Sequence, residues 1–356
     1  MRKFAYWGGL AFALAVLTLS VTNASWLAPY PAGAPKQIAH RAIGLEFNPP
    51  QYSPIDLPDP CDAAQIYEAT SRHLPNTLGG ILRADRMGGW LIEVDPQLTA
   101  DGEIVLFAYS ALDCFTDGEG AVSTRSLTEL QALDAGFGYF TADTGERAYP
   151  YRGQGAVMPT LAEAARAIPR QARLMVHLTG DDTKLALAVI SALETAGRDP
   201  VDKGDAFYGS ADQMARIRET YPGIWAFNAD EARQCTADYK KVGWIGVVPT
   251  SCEGGTMLIA LDEQALLWGW PNRLIARMQA ADVQILIEGP GAVAQGEIAG
   301  ITLPEQLTEI PSSFNGYIWT DDAFNTLPAL IQRYDNRNQE EIDAAQAALD
   351  RRRAAR

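Results

Sequence analysis

Basic residues are scarce in this chain. Its 29 Lys and Arg face 44 Asp and Glu, a net charge of −15. That balance argues against a non-specific nucleic-acid binder, because binding a polyanion needs clustered cations to displace phosphate counterions. No glycine-rich loop follows an apolar run, so a dinucleotide-binding fold is disfavoured. The four cysteines, Cys61, Cys114, Cys235 and Cys252, lack the close doublets of a zinc site. Beyond the N-terminal segment, no stretch is long and apolar enough to span a bilayer.

What is present is a 356-residue chain, 47% hydrophobic, long enough for one large barrel-type domain or two ordinary ones. It begins with Arg2 and Lys3, then an uncharged apolar stretch from Phe4 to Val21, then small and polar residues around Thr22-Asn23-Ala24. This is the order of a secretory signal, and the stretch is nearly long enough to stay as an uncleaved anchor. The chain is therefore expected to be exported, periplasmic or secreted, with residues 1–28 a signal peptide or an inner-membrane anchor and no other membrane segment. An even number of cysteines in an exported chain favours disulfides. Three pairings are open, and proximity suggests Cys235 with Cys252 and Cys61 with Cys114.

After a Pro/Gly/Ala linker, "QIAHR" reads as a short buried strand ending at His40 and Arg41. Pro49–Pro60 reads as a long loop, and Thr77–Met87 as a helix. The stretch "IEVDPQLTADGEIVLFAYS" reads as two strands around an Asp-Gly turn, with Glu93 and Asp95 aimed to one side because strand side chains alternate. Further apolar runs, "RLMVHLTG", "DAFYGS", "GIWAFNAD", "GWIGVVP", "VQILIEG" and "GYIWTDD", are separated in several places by helical patterns. Some eight strands alternating with helices predict a parallel α/β fold, a closed barrel in preference to an open sheet. The tail Asn338–Arg356 reads as a solvated surface helix or frayed end, acidic first and basic last, with a membrane-facing role for Arg351 to Arg353 as the lesser reading.

Barrel active sites lie at the C-terminal strand ends. The candidates there are His40 and Arg41 on the first strand, Glu93 and Asp95 on the second, His177 on the fourth, Glu288 on the seventh, and Asp321 and Asp322 after the last. Histidine moves protons near neutral pH, arginine grips phosphate, and carboxylates hold hard cations such as Ca²⁺ or Mg²⁺. Together they describe a phosphoester site. A strand-end histidine can equally be structural, and paired carboxylates can simply neutralise an arginine.

Several stretches together, "IAHRAIG", the segment from "LPNTLGG" through "LDAGFGY", and "YPYRGQGAVMPTLAEAARAIP", resemble consecutive motifs of the glycerophosphodiester phosphodiesterase family, with the cysteines similar to an exported bacterial branch. The resemblance implies a TIM (β/α)8 barrel of the phospholipase-C-like phosphodiesterase type over residues 36–335, followed by a charged helix or tail at 336–356. It also implies cleavage of glycerophosphodiesters to an alcohol and glycerol 3-phosphate, with two histidines and a carboxylate-bound Ca²⁺ or Mg²⁺. His40 then matches the first histidine, Arg41 the phosphate-binding arginine, and Glu93 and Asp95 the second-strand carboxylates. Four family positions differ. Pro75 stands at a metal-binding Glu, Ala108 at the second histidine, His177 at a metal carboxylate and Thr179 at a lysine.

Glu93 and Asp95 are thus left as an incomplete cation site, with Glu46 the candidate to fill it. His73 is expected to be a solvent-exposed loop residue. Two readings follow. In one, an impaired or non-catalytic family member binds a phosphodiester, lipid headgroup or partner in the old pocket. In the other, a rebuilt phosphodiesterase uses His40 and His177. The same resemblance predicts a bridge between Cys61 and Cys114.

Overall fold

A computed structural model describes residues 2–48, 59–142, 146–291 and 296–354. The loop expected over Pro49–Pro60 falls, from 49 to 58, outside the described residues. Eight strands make one parallel sheet: β1 (Lys36–Ala39), β2 (Leu91–Val94), β5 (Leu174–Leu178), β6 (Ala206–Gly209), β7 (Trp225–Phe227), β8 (Thr256–Ala260), β9 (Gln284–Glu288) and β10 (Tyr317–Thr320). Their order is β7-β6-β5-β2-β1-β10-β9-β8. With helices between successive strands, the fold is a TIM-type (β/α)8 barrel.

Two of the barrel strands differ from the sequence expectation. "IVLFAYS" supplies no barrel strand. Its β4 (Ile104–Leu106) pairs antiparallel with β3 (Pro96–Leu98) across the Asp101-Gly102 turn, forming a separate ribbon after β2. "GWIGVVP" is not a strand either; it carries a short 3-10 turn, Gly243–Ile245, whose apolar side chains are exposed. The strand lies further on, at Thr256–Ala260. Periodicity misled here because an exposed apolar turn and a short buried strand present the same run of side chains.

The chain divides into two compact units. Unit 1 comprises Met1–Lys36, Asp230–Gly291 and Thr308–Ile318, and unit 2 the remainder. In unit 1, helix Arg2–Asn23 is followed by a turn at Ser25–Leu27, and Cys235 is bridged to Cys252. Among the described residues no helix is long and apolar enough to cross a membrane; within helix Arg2–Asn23 the side chains of residues 2–6 and 11 lie outside the described set. The expected charged start, Arg2 and Lys3, lies outside the described side chains.

Unit 2 holds two apolar cores. One gathers Ile92, Val94 and Val176 from the strands with Ile81, Leu161 and Phe324 from helices. The other gathers Phe47, Leu74, Phe107, Phe115 and Tyr139 beneath the loops. Strands β2 and β5 are buried along their length, as expected when both faces are covered. Helix Leu78–Arg86 starts where the Thr77 hydroxyl accepts the Gly80 N–H, and the start of helix Leu161–Ala167 is fixed by a reciprocal Thr160/Glu163 cap.

Cys61 and Cys114 are bonded, as the resemblance predicts, across 53 positions of sequence. Closing so long a loop restricts the unfolded chain, so a Cys61→Ala/Cys114→Ala variant is expected to lose about 2–4 kcal/mol of stability. Urea unfolding measures this directly, and a change under about 1 kcal/mol would show that the bridge adds little.

The C-terminal helix Gln339–Ala354 is a surface helix, as expected, but one face is packed and it is not frayed. Ala345, Ala348, Leu349 and Arg352 are buried. Arg352 donates to Asp322 and to the Thr302 carbonyl and pairs with Glu46, Arg351 pairs with Glu68, and Arg353 with Glu305. The basic end of the tail is therefore spent on partners in its own unit.

Candidate functional site

The site begins with a strained turn. After β1 the chain passes through His40 into Arg41 (φ 48°) and Ala42 (φ 67°), both left-handed and unfavourable for side chains of L residues. Hydrogen bonds hold the strain. The Arg41 N–H donates to Glu93 Oε2 (2.5 Å), the Ala42 N–H to the Glu93 carbonyl (2.9 Å), and the Asn76 N–H to the Arg41 carbonyl (3.2 Å). At Gly44 the backbone presses against the loop after β10 so closely that a Cβ would lie 1.9 Å from the Asp321 carbonyl oxygen. Only glycine fits there.

That approach places His40 beside Asp321. Nδ1 of His40 donates to Asp321 Oδ1 at 2.7 Å, while Asp321 Oδ2 accepts the Gly300 N–H at 2.8 Å. A carboxylate on Nδ1 fixes the tautomer and orientation of the imidazole. Asp322 does different work. It caps helix Ala323–Leu330 and receives Arg352.

Glu93 on β2 and Asp95 just beyond it are sealed from solvent. Asp95 is gripped by Asn76, whose amide nitrogen donates to Oδ2 and whose amide oxygen accepts the Asp95 N–H, both at 2.8 Å. His177 on β5 donates from Nδ1 to Asp95 Oδ1 (2.9 Å) and lies 3.7 Å from Glu93 Oε1. The β5–β6 register sets Tyr208 opposite His177, so their rings stack at 4.0 Å and the Tyr208 hydroxyl donates to Glu93 Oε1 (3.3 Å). Buried Trp319 lies edge-on to Tyr208 and tilted against His40, joining the two histidines through an aromatic bridge.

The two carboxylates carry opposite biases. Burial, then the charge of Asp95, pushes Glu93 well above the usual range, toward its neutral form. Burial also opposes the charge on Asp95, but the hydrogen bond from His177 and the charges of Arg41, His177 and His40 outweigh it and hold Asp95 well below the usual range.

Glu93, Asp95 and His177 offer ligand atoms within 4.8 Å of one another, a group of the kind that can hold a metal ion. The detailed donor set fits a divalent cation poorly. All four carboxylate oxygens already face protein partners: Tyr208, the Arg41 N–H, His177 and Asn76. The Arg41 guanidinium stands 3.6 Å from Asp95, adding positive charge where a cation would add its own. Pro75 and Ala108 line one small cavity of about 10 Å³ with Leu106, Phe107, Tyr139 and Met158. Asn76 and Thr77 also line it, and the side chain of neither Pro75 nor Ala108 offers a ligand atom.

Three candidates find other employment. Glu46 pairs with Arg352, so it does not complete a cation site. Glu288, whose carboxyl is pushed up by burial against the pull of Arg233, forms a double hydrogen bond with Arg233 inside unit 1. His73 is half-buried, not solvent-exposed, and lines a separate cavity of about 400 Å³ with Arg72, Gln131 and Glu163. Its charged form is disfavoured by burial and then by Arg72, Arg83 and Arg86. Sequence reasoning missed Asn76, Tyr208, Trp319 and Arg352. Only Asn76 had a signal, its place directly after Pro75 in "LPNT".

Residues 69–191, which span Asn76, Glu93, Asp95 and His177, match the model of the Glycerophosphoryl diester phosphodiesterase family. That stretch of the chain is similar to the family's domain. Among curated relatives, YhdW of Bacillus subtilis is 33% identical over 112 residues, 32% of this chain and 42% of YhdW. The glycerophosphodiester phosphodiesterase of Caldanaerobacter subterraneus is 38% identical over 82 residues, 23% of this chain and 34% of the relative. The match thus spans less than half of each. In three dimensions the similarity is wider. The glycerophosphoryl diester phosphodiesterase domain of Rv2277c from Mycobacterium tuberculosis aligns with 84% of this chain and 99% of its own (TM-score 0.58, 19% identity), and an Oleispira antarctica phosphodiesterase solved with sn-glycerol-3-phosphate aligns with 85% and 98% (TM-score 0.52, 18% identity). At these identities the solved structures establish the fold shared with the phosphodiesterase family.

Proposed function

We propose that this family member binds a small phosphodiester or lipid headgroup of the glycerophosphodiester class at His40 and Arg41, without a divalent cation and with hydrolysis strongly impaired. The observation that carries the reading is the saturation of Glu93 and Asp95. Their four oxygens are engaged by protein groups, with His177 and Arg41 standing where a metal's charge would act. Arg41 supplies the phosphate grip and His40, oriented by Asp321, a second donor. An exported setting belongs to the same reading, supported by the N-terminal order of charged, apolar and small residues and by two disulfides.

A second reading rests on the same Asp321–His40 pair, which is the arrangement of an oriented general base. In it His40 and His177 share proton transfer in a metal-independent phosphodiesterase. One set of measurements separates the two. Calorimetric titration with sn-glycerol 3-phosphate in the presence of chelator should show binding that Arg41→Ala weakens by about 10–100-fold, the worth of a charge-assisted phosphate contact. Turnover of glycerophosphocholine and glycerophosphoethanolamine should not exceed that of His40→Ala and His177→Ala. Metal-independent turnover abolished by either substitution would establish the second reading, and turnover stimulated by Ca²⁺ or Mg²⁺ would overturn both.

A further inference from the structure

The end of the N-terminal helix is built into unit 1. The guanidinium of Arg277 donates to the Thr22 carbonyl (2.9 Å) and to Asn23 Oδ1 (3.1 Å), as well as to the Gly243 carbonyl and the Tyr239 hydroxyl. The Asn23 amide donates to the Trp244 carbonyl (2.7 Å), and Ser25 Oγ accepts the Asn272 N–H (2.9 Å). A Cβ on Gly246 would come within 3.3 Å of the Thr22 methyl, so the two segments are in direct apposition. Removing the chain through Ala24 would strip two of four acceptors from Arg277 and expose the surface of the 243–246 turn that they cover. Thr22-Asn23-Ala24 is thereby a docked helix end, with partners in the folded unit that its removal would leave unmet.

Around this joint the surface is apolar. Trp244 is 42% exposed, Ile245 50%, Val247 49% and Trp26 81%, with Leu27 exposed beside Trp26. The helix itself leaves Leu10, Phe12, Leu14, Leu17 and Val21 uncovered. Exposed apolar groups continuing from an apolar helix onto the turn that holds its base, with two tryptophans at the junction, have the composition of a membrane–water boundary, where Trp places its ring at headgroup level.

We propose that the N-terminal helix is retained and enters a lipid bilayer, and that Trp26, Leu27, Trp244, Ile245 and Val247 form an apolar collar that seats unit 1 on the bilayer surface. The collar explains why the run "GWIGVVP", apolar enough to resemble a strand, is spent on an exposed turn. The lipid surface is preferred to a second copy of the chain as occupant because exposed apolar side chains lie both on the helix and on the turn that holds its base, with tryptophans at the joint.

The full chain, expressed in a bacterium and purified from the membrane fraction, tests this. Intact mass should show residues 1–24 still attached. In vesicles of phosphatidylcholine and phosphatidylglycerol with brominated acyl chains, tryptophan emission should be quenched, and Trp244→Phe should remove a quenched component. A Trp244→Ser/Ile245→Ser/Val247→Ser variant should remain helix-anchored but lose protection of the 239–247 segment against a soluble protease by about 10-fold, the free energy of burying a few apolar groups. A mature chain beginning near Ser25 would overturn the proposal. So would Trp244 emission indifferent to brominated lipid, or sedimentation in detergent showing a dimer that the triple variant dissolves, since the collar would then be covered by its own kind.

Discussion

The His177→Ala variant is expected to be less stable than the parent chain by about 3–5 kcal/mol, the usual consequence of leaving a buried charge without its partner. Asp95 is buried and ionised, and the Nδ1–H of His177 is the first of the interactions that keep it so. Its loss also removes the ring stacked on Tyr208. The effect has a definite pH course. Because the folded state depresses the Asp95 pKa, its contribution is present above the unfolded value, about 3.9, and is lost as pH falls through the folded value. The difference between parent and variant should therefore be full at neutral pH and shrink in acid.

Glu93 works in the opposite sense. Its raised pKa costs stability as pH climbs above the unfolded value of about 4.3, because the unfolded chain ionises first. Urea titrations followed by tryptophan fluorescence across acid and neutral pH measure both trends. His177→Asn, whose amide nitrogen can stand near the position of Nδ1, should recover part of the loss. A His177→Ala penalty under about 1 kcal/mol would mean that Arg41 and Asn76 alone sustain the charge on Asp95.

Arg352→Ala should produce a loss of similar size, about 3–5 kcal/mol, because Asp322 is left buried without its cation. This loss should also reach the site. Asp322 adjoins Asp321, the partner of His40, so freeing the loop after β10 should weaken binding of sn-glycerol 3-phosphate together with stability. A double-mutant cycle separates charge from packing. Arg352→Met with Asp322→Asn removes both charges and should be more stable than Arg352→Ala alone. If Arg352→Ala retained full stability, the C-terminal helix would be an ornament to the barrel, contrary to its buried contacts.

The two halves of the site were unequally visible in the sequence. His40, Arg41, Glu93, Asp95 and His177 were legible because each stands at or beside a strand end, where the barrel exposes side chains to its mouth. Their partners were not. Tyr208 meets His177 only through the β5–β6 register, and Trp319 reaches His40 and Tyr208 only once β10 lies beside β1. Arg352 was hidden in a tail whose charge pattern is that of a solvated helix, and that oversight misplaced Glu46 as a cation ligand. In the fold, the two strands around the Asp101-Gly102 turn were read correctly, but the second was counted into the barrel and the strand Thr256–Ala260 was missed, because hydrophobic runs report burial without naming the partner strand.

Strand β4 has an unusual position between the two cores of unit 2. Ile104 and Leu106 belong to the barrel cluster, whereas Val105 and Phe107 belong to the cluster beneath the loops. Neighbouring residues of one strand therefore anchor different cooperative units. Amide hydrogen exchange should show the loop-side unit opening at lower free energy than the barrel, with β4 as the hinge line between slow and fast protons. Reduction of Cys61–Cys114 should then quicken exchange on one side of that line while leaving the other side's rates in place.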